Sequence, residues 1–384
     1  MNKSYVARLA FGFIAVVATS AQAAFCQSCR QVKAEFSGGK VFLATRINNS
    51  REFWFVLDSG VRNVAVATSI SSEIPLKYTS DAGYSFSFSI SGFQFLVDGK
   101  LPVGDLGYIQ APNRHELDGL VGGELLQNFV VQIDYGKGDV IFCPHESLPA
   151  GDLGPEVKIE IGQGGFPAVV TAVLESLHRE KITVRLEVDI GSDAAVTLFA
   201  PFVARHPELR SPRDPQLPTV GVGGSRNVTL ARLKDIRVSL FTLRDMIVNL
   251  EPPAETDAQR TTDGLLGKEF LRRFTVTLDY PSNRIFLNPN GQYREPPYDY
   301  PGVWFTPDEK TKRIVAVLLA PNSPAGAAGI RVGDELVSVD GVPVAGYWEY
   351  QLQELWRGYG KTRRLVLRRG SETLNVDLKL RKWF

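Results

Sequence analysis

Residues 118–135 read DGLVGGELLQNFVVQIDY, and residues 263–280 read DGLLGKEFLRRFTVTLDY. Asp118, Gly119, Leu120, Gly122, Glu124, Leu126, Phe129, Val131, Asp134 and Tyr135 all recur at one fixed offset. Each copy continues as an apolar run, a turn and a second apolar run (VVQIDYGKGDVIF and TVTLDYPSNRIFL), the pattern of a strand-turn-strand unit. Upstream of each copy lies a second recurrence. Phe53 to Leu57 (FWFVL) leads into Asp58-Ser59-Gly60 and then the apolar VAVA. Val184 to Val188 (VRLEV) leads into Asp189-Ile190-Gly191 and then AAVTL. Val184, Leu186 and Val188 alternate with Arg185 and Glu187, as a half-buried strand requires. Two copies of one unit predict two homologous β lobes, over residues 24–150 and 151–292, and not a many-repeat solenoid.

The rest of the chain fits this reading. Its 384 residues suit two or three domains, and 44% apolar with 22% charged residues is the balance of a folded protein. Thirty-five Gly and 23 Pro against two Met predict a turn-rich, mainly β fold. A net charge of +1 argues against nucleic acid as a partner. His115, His145, His178 and His206 are scattered without ligand spacing, no HExxH occurs and no GxSxG elbow accompanies a serine. No metal and no organic cofactor are expected. Asp134 and Asp279 read as turn caps, and Asp118 and Asp263 as residues that shape the loop before the apolar-Gly element.

Lys3 and Arg8, the apolar Leu9 to Ala18 and the small-x-small Ala21-Gln22-Ala23 read as a cleavable signal over residues 1–23. The expected location is periplasmic or secreted, with no membrane insertion after cleavage. An oxidising compartment permits disulfides. Cys26 and Cys29 form a CxxC, but nothing around it has the strand-into-helix setting of a redox motif. One structural bridge is expected, pairing Cys143 with either Cys26 or Cys29.

A duplicated Asp at a strand-to-turn junction has a chemical reading. Two carboxyls about 3 Å apart share one proton, because both cannot ionise at that distance. The ionised member is then a general base for water, and the protonated member a donor to a carbonyl. Asp58-Ser59-Gly60 behind FVL, with DGLVG and DGLLG downstream, resembles the pepsin and retropepsin class of aspartic peptidases. The resemblance covers residues 36–290 and implies two β-barrel lobes in one chain. It makes Asp58 and Asp189 the catalytic pair, with Ser59, Gly60 and Gly191 supporting their loops. It also implies a flap hairpin in each lobe, near Gly83 and Tyr84 and around Gly223 and Gly224. One position departs from the pattern: the residue after the second Asp is Ile190, which has no hydroxyl to brace the opposite loop. Asp193 lies near enough in sequence to compete with Asp189.

Beyond a Pro- and Gly-dense linker, 293–301, residues 302–384 resemble a PDZ domain, a small α+β barrel, through Pro301-Gly302-Val303 and SPAGAAGIRVGDELVSVDG. That resemblance makes Gly302, Val303 and Trp304 a carboxylate-binding loop and puts Leu352 and Leu355 on the groove's helical wall. The basic run from Lys361 to Arg369 reads as a solvated strand face. The expected protein is an exported, monomeric aspartic endopeptidase with peptide substrates and a second peptide-binding module. The alternative is an inactive scaffold of the same fold that only binds peptides.

Overall fold

The computed structural model describes residues 28–384 apart from 38, 75–77, 80–82, 107–116, 222–223, 309, 312 and 348. The signal expected over 1–23, Cys26, His115 and Gly223 lie outside the described residues. The protein is mainly β, with 46% of the described residues in strands against 12% in helices.

Both repeats fold around the same three-strand weave. Glu52–Leu57 runs parallel to Gly119–Val121, Leu57 opposite Val121, and Ala65–Ala67 returns antiparallel on the other side of Gly119–Val121. In the second copy Lys181–Val188 runs parallel to Gly264–Leu266, Val188 opposite Leu266, flanked by antiparallel Val196–Leu198. The recurring residues explain why both copies fold alike. The Asp118 carboxylate accepts the Trp54 amide at 2.7 Å, and Asp263 accepts that of Arg185 at 2.9 Å. Both therefore shape their loops, as expected. A Cβ at Gly122 would lie 2.1 Å from the Asp58 carbonyl oxygen, and one at Gly267 2.3 Å from that of Ala194. Only glycine lets backbone approach so closely at these two sites.

The two β lobes are joined by a sheet to which both contribute. Phe129–Asp134 pairs antiparallel with Phe274–Asp279, placing Ile133 opposite Val276. Each brings its own hairpin partner, Asp139–Pro144 and Arg284–Pro289, into one sheet shared by the repeats. The physical reason is the open edge of each terminal hairpin, which the matching hairpin of the other copy covers. One continuous apolar cluster accordingly runs through both repeats, with Phe42, Phe55 and Val131 in the first and Leu186, Phe274 and Val276 in the second. Asp134 caps its turn through the amides of Gly136 and Lys137. Asp279 does not; it is buried and takes Arg284 Nε at 2.8 Å, because Arg284 reaches back across the turn.

Cys29 is disulfide-bonded to Cys143, which resolves the open pairing. The bridge fastens the N-terminal strand Arg30–Gln31 beside Asp139–Pro144. Among the described residues no helix is long and apolar enough to cross a membrane.

The C-terminal module has its own sheet, from Val303–Pro307 to Glu372–Lys379, and its own core around Phe305, Leu336, Leu352, Trp356 and Leu365. Its short helix Pro324–Ala327 is capped by Ser323, whose hydroxyl accepts the Gly326 amide at 3.1 Å. Arg363, Arg368 and Arg369 of the basic run pair with Asp340, Glu335 and Asp334. The stretch expected as a linker is packed rather than loose. Asp299 and Tyr300 are buried, and Asp299 meets Arg232 of the second repeat at 2.7 Å with both side chains under 5% exposed. Arg357 makes a two-pronged bond to Glu269, at 2.9 and 2.7 Å. Proline density there reports irregular backbone, not looseness, and the buried ion pairs hold it in place.

Candidate active site

The two weaves deliver Asp58 and Asp189 to one point. The Asp58 amide donates to Val121 O and the Asp189 amide to Leu266 O, so each turn hangs from the Gly-flanked strand of its own repeat. The two carboxyls lie within hydrogen-bonding reach of each other. The turns interleave: a Cβ at Gly60 would lie 2.6 Å from Asp189 Cγ, and one at Gly191 2.4 Å from Asp58 Cγ. Asp58 Oδ1 accepts the Gly60 amide at 2.9 Å, while Asp189 Oδ1 accepts those of Gly191 at 2.9 Å and Ser192 at 3.0 Å. Burial pushes the Asp58 carboxyl above its ordinary value, opposed by Lys40. Burial and then the negative charge of Asp58 push Asp189 well above it. Both shifts run in the direction expected where two neighbouring carboxyls resist ionising together.

Ser59 braces the pair from one side. Its buried hydroxyl donates to Val188 O at 2.8 Å and accepts the Ile190 amide at 3.0 Å. Ile190 is buried in the apolar cluster and returns no such bond.

Sequence reasoning missed the cation beside this pair. Lys40 Nζ donates to Gly191 O and meets Asp193 at 3.0 Å, and Lys268 Nζ meets the same Asp193 oxygen at 2.6 Å. Asp193 therefore does not compete with Asp189; it is tied to two lysines and held well below the usual carboxylate range. Burial opposes that, and Lys268 and Lys40 outweigh it. A third recurrence could have pointed to Lys40. KAEFSGGKVF (33–42) and KIEIGQGGFPAV (158–169) are both strand-Gly-Gly-strand hairpins, and each crosses to the other repeat. Arg62 Nη2 donates to Gln163 O, and Gln127 Nε2 to Gly164 O at 2.9 Å. Lys40 follows its Gly-Gly pair where Phe166 follows the other. Among the described residues, no group of three or more His, Cys, Asp or Glu side chains could hold a metal ion.

The expected flap residues sit on two hairpins. Gly83 and Tyr84 open the strand Gly83–Ile90, which pairs with Tyr78–Thr79 and places Gly83 opposite Thr79. Gly224 opens Gly224–Arg232, with Gly221 of Gln216–Gly221 opposite it.

In the C-terminal module a groove lies between Val303–Pro307 and the helix Glu349–Leu355. Val303, Trp304 and Leu352 line it, with Leu217 of the second repeat and Tyr298 and Tyr300 of the connecting stretch. Gly302 stands at its end with φ +85°, and its carbonyl accepts the Ala320 amide at 2.7 Å. Leu355, on the same helix as Leu352, packs against the module's core. Residues 315–369 match the PDZ domain family model. The C-terminal module is a PDZ domain. The solved PDZ domain of HtrA3 bound to a phage-derived ligand is 27% identical over 21% of this chain and 83% of that one, with a TM-score of 0.19. The photosystem II D1 C-terminal processing protease is 32% identical over 20% of this chain, with a TM-score of 0.20, and the match spans about a fifth of that protein, 21%. A retropepsin-like aspartic protease from Rickettsia conorii is 14% identical over 35% of this chain and 89% of that one, with a TM-score of 0.27. No curated protein matches the chain. The PDZ domain equips the protein to bind a peptide, while the chemistry of the repeats rests on their own geometry.

Proposed function

We propose that this protein is an aspartic endopeptidase with Asp58 and Asp189 as its catalytic pair. The observation that carries this reading is the reciprocal burial of each carboxyl against the other turn's glycine, within hydrogen-bonding reach of its partner. A water between the carboxyls gives a proton to the ionised member, and its oxygen attacks the scissile carbonyl carbon. The protonated member passes its proton to the carbonyl oxygen, and a tetrahedral diol results. When the C–N bond breaks, the leaving amine takes the pair's proton and one diol hydroxyl returns its own to the pair as the acid product forms, so the pair ends with one proton as it began. An extended peptide would lie between the repeats, with the 78–90 and 216–232 hairpins as its flaps, and the PDZ domain would bind a second segment by strand addition. We place the protein outside the cytoplasm; the Cys29–Cys143 bridge supports this, since such bonds persist in oxidising compartments.

The missing hydroxyl at Ile190 favours one other reading, an inactive scaffold that binds peptide. The two separate on a mixed peptide library digested from pH 3 to 8 with wild type, Asp58→Asn and Asp189→Asn, with and without a pepstatin-type inhibitor. Cleavage by wild type that either substitution abolishes supports the peptidase. Peptide binding without cleavage at any pH, unchanged by Asp58→Asn, supports the scaffold.

A further inference from the structure

We propose that Lys40 is a positioning residue for the acidic pair, carried from the first repeat on its Gly-Gly hairpin to tie down the Asp189 turn and to set the charge beside it. The inference rests on the two-carboxyl reading for its catalytic meaning, but its geometry stands independently.

The scaffold has pseudo-two-fold symmetry in its weaves, glycines and shared sheet, and the symmetry breaks beside the acids at two positions. Ser59 has a hydroxyl where Ile190 has none, and the Gly-Gly pair of the first hairpin is followed by Lys40 where that of the second is followed by the uncharged Phe166. The Ser59 bonds leave the first repeat and end on Val188 and Ile190. The Lys40 bonds also leave the first repeat, and end on Gly191 and Asp193. Backbone on both sides of Asp189 is therefore held from the first repeat, and the return tie that a hydroxyl at 190 would make is absent. A charged tie does more than a neutral one. The Lys40 side chain is 14% exposed and that of Lys268 10%, so neither ammonium is freely solvated, and Asp193 is the carboxylate that both contact. Lys40 is the cation of the two that acts on both acids, and Asp193 offsets it in part at Asp58.

The charged and titratable groups around Lys40 are few. Asp193 and Lys268 flank it, Asp58 and Asp189 act on it, and Glu269 stands behind Lys268. Tyr135 and Tyr280 also feel the acids, and burial keeps both phenols neutral. Burial opposes the charge on Lys40, but Asp193 and then the pair outweigh it, so Lys40 stays a cation wherever the pair titrates. Its field favours the ionised pair, and its removal therefore raises the pH at which each proton leaves.

Lys40→Gln keeps a donor for Gly191 O and removes the charge; Lys40→Arg keeps the charge. Carboxyl carbons of the labelled full-length protein, read by NMR titration, report the pair whether or not it cleaves anything. The expected result is that both titration steps move up by about one pH unit in Lys40→Gln and return toward wild type in Lys40→Arg. Where wild type cleaves peptide, both limbs of its kcat/KM profile move by the same amount. Superimposable carboxyl titrations in all three proteins overturn the proposal. Wild type that cleaves nothing, with the shift intact, removes the peptidase reading and leaves the Lys40 assignment standing.

Discussion

Alanine at Gly191 tests the interleaved turns most directly. Neither Gly60 nor Gly191 has a positive φ, so alanine meets no backbone penalty at either site and adds only a methyl group. At 191 that methyl would stand 2.4 Å from Asp58 Cγ and Oδ1, about 1 Å inside the 3.4 Å at which ordinary contact begins. Asp58 cannot retreat freely, because Oδ1 is fixed by the Gly60 amide at 2.9 Å. The displacement therefore opens the pair. Misplacing reacting groups by about 1 Å costs roughly 10²-fold in rate, or about 2.7 kcal/mol of barrier. Gly60→Ala brings its methyl to 2.6 Å of Asp189 Cγ and should act in the same direction, somewhat less strongly. The assay is kcat/KM on a peptide that wild type cleaves, with circular dichroism and urea midpoints to show that the fold survives. If both variants keep activity within about threefold of wild type while folded, the carboxyls are not closely packed against these glycines and the reasoning fails.

Three other outcomes follow from the same geometry. Folding raises the Asp189 pKa, so the stability linked to its protonation is present below the unfolded value of about 3.9 and is lost as pH rises through the folded value. Asp189→Asn should therefore be more stable than wild type to urea at pH 7, with the gap closing near pH 3.5; equal gaps at both pH values would contradict this. Replacing Cys29 and Cys143 together by Ser should cost about 2–5 kcal/mol in urea unfolding, since the bridge closes a separation of 114 residues. Leu217 of the second repeat lines the PDZ groove beside Val303, Trp304 and Leu352, where it obstructs an apolar peptide side chain. Leu217→Ala should relieve that obstruction by on the order of 1 kcal/mol and tighten binding of an apolar C-terminal peptide roughly fivefold, read by calorimetry; unchanged affinity would mean that Leu217 does not obstruct the groove.

The weave was legible because its constraints recur in one chain. Asp118 and Asp263, with the glycines after them, must meet the same close contacts twice, so the same letters appear twice. The Asp58 and Asp189 turns were legible for the same reason. Lys40 was not, because the second hairpin carries no lysine after its Gly-Gly pair, and a broken symmetry leaves no second copy to compare. The shared sheet was hidden as well. Ile133 and Val276 read as strand residues in any arrangement, and alternation does not say which strand lies alongside.

The sheet that joins the repeats bears on how the protein could diverge. Built from two identical chains, such a sheet would force every substitution beside one acid onto the other as well. With Phe129–Asp134 and Phe274–Asp279 in a single polypeptide, each half is free to change alone. Serine can then face isoleucine, and one hairpin can carry a lysine that the other lacks. Covalent fusion is thus what permits one carboxyl to acquire surroundings its twin does not share.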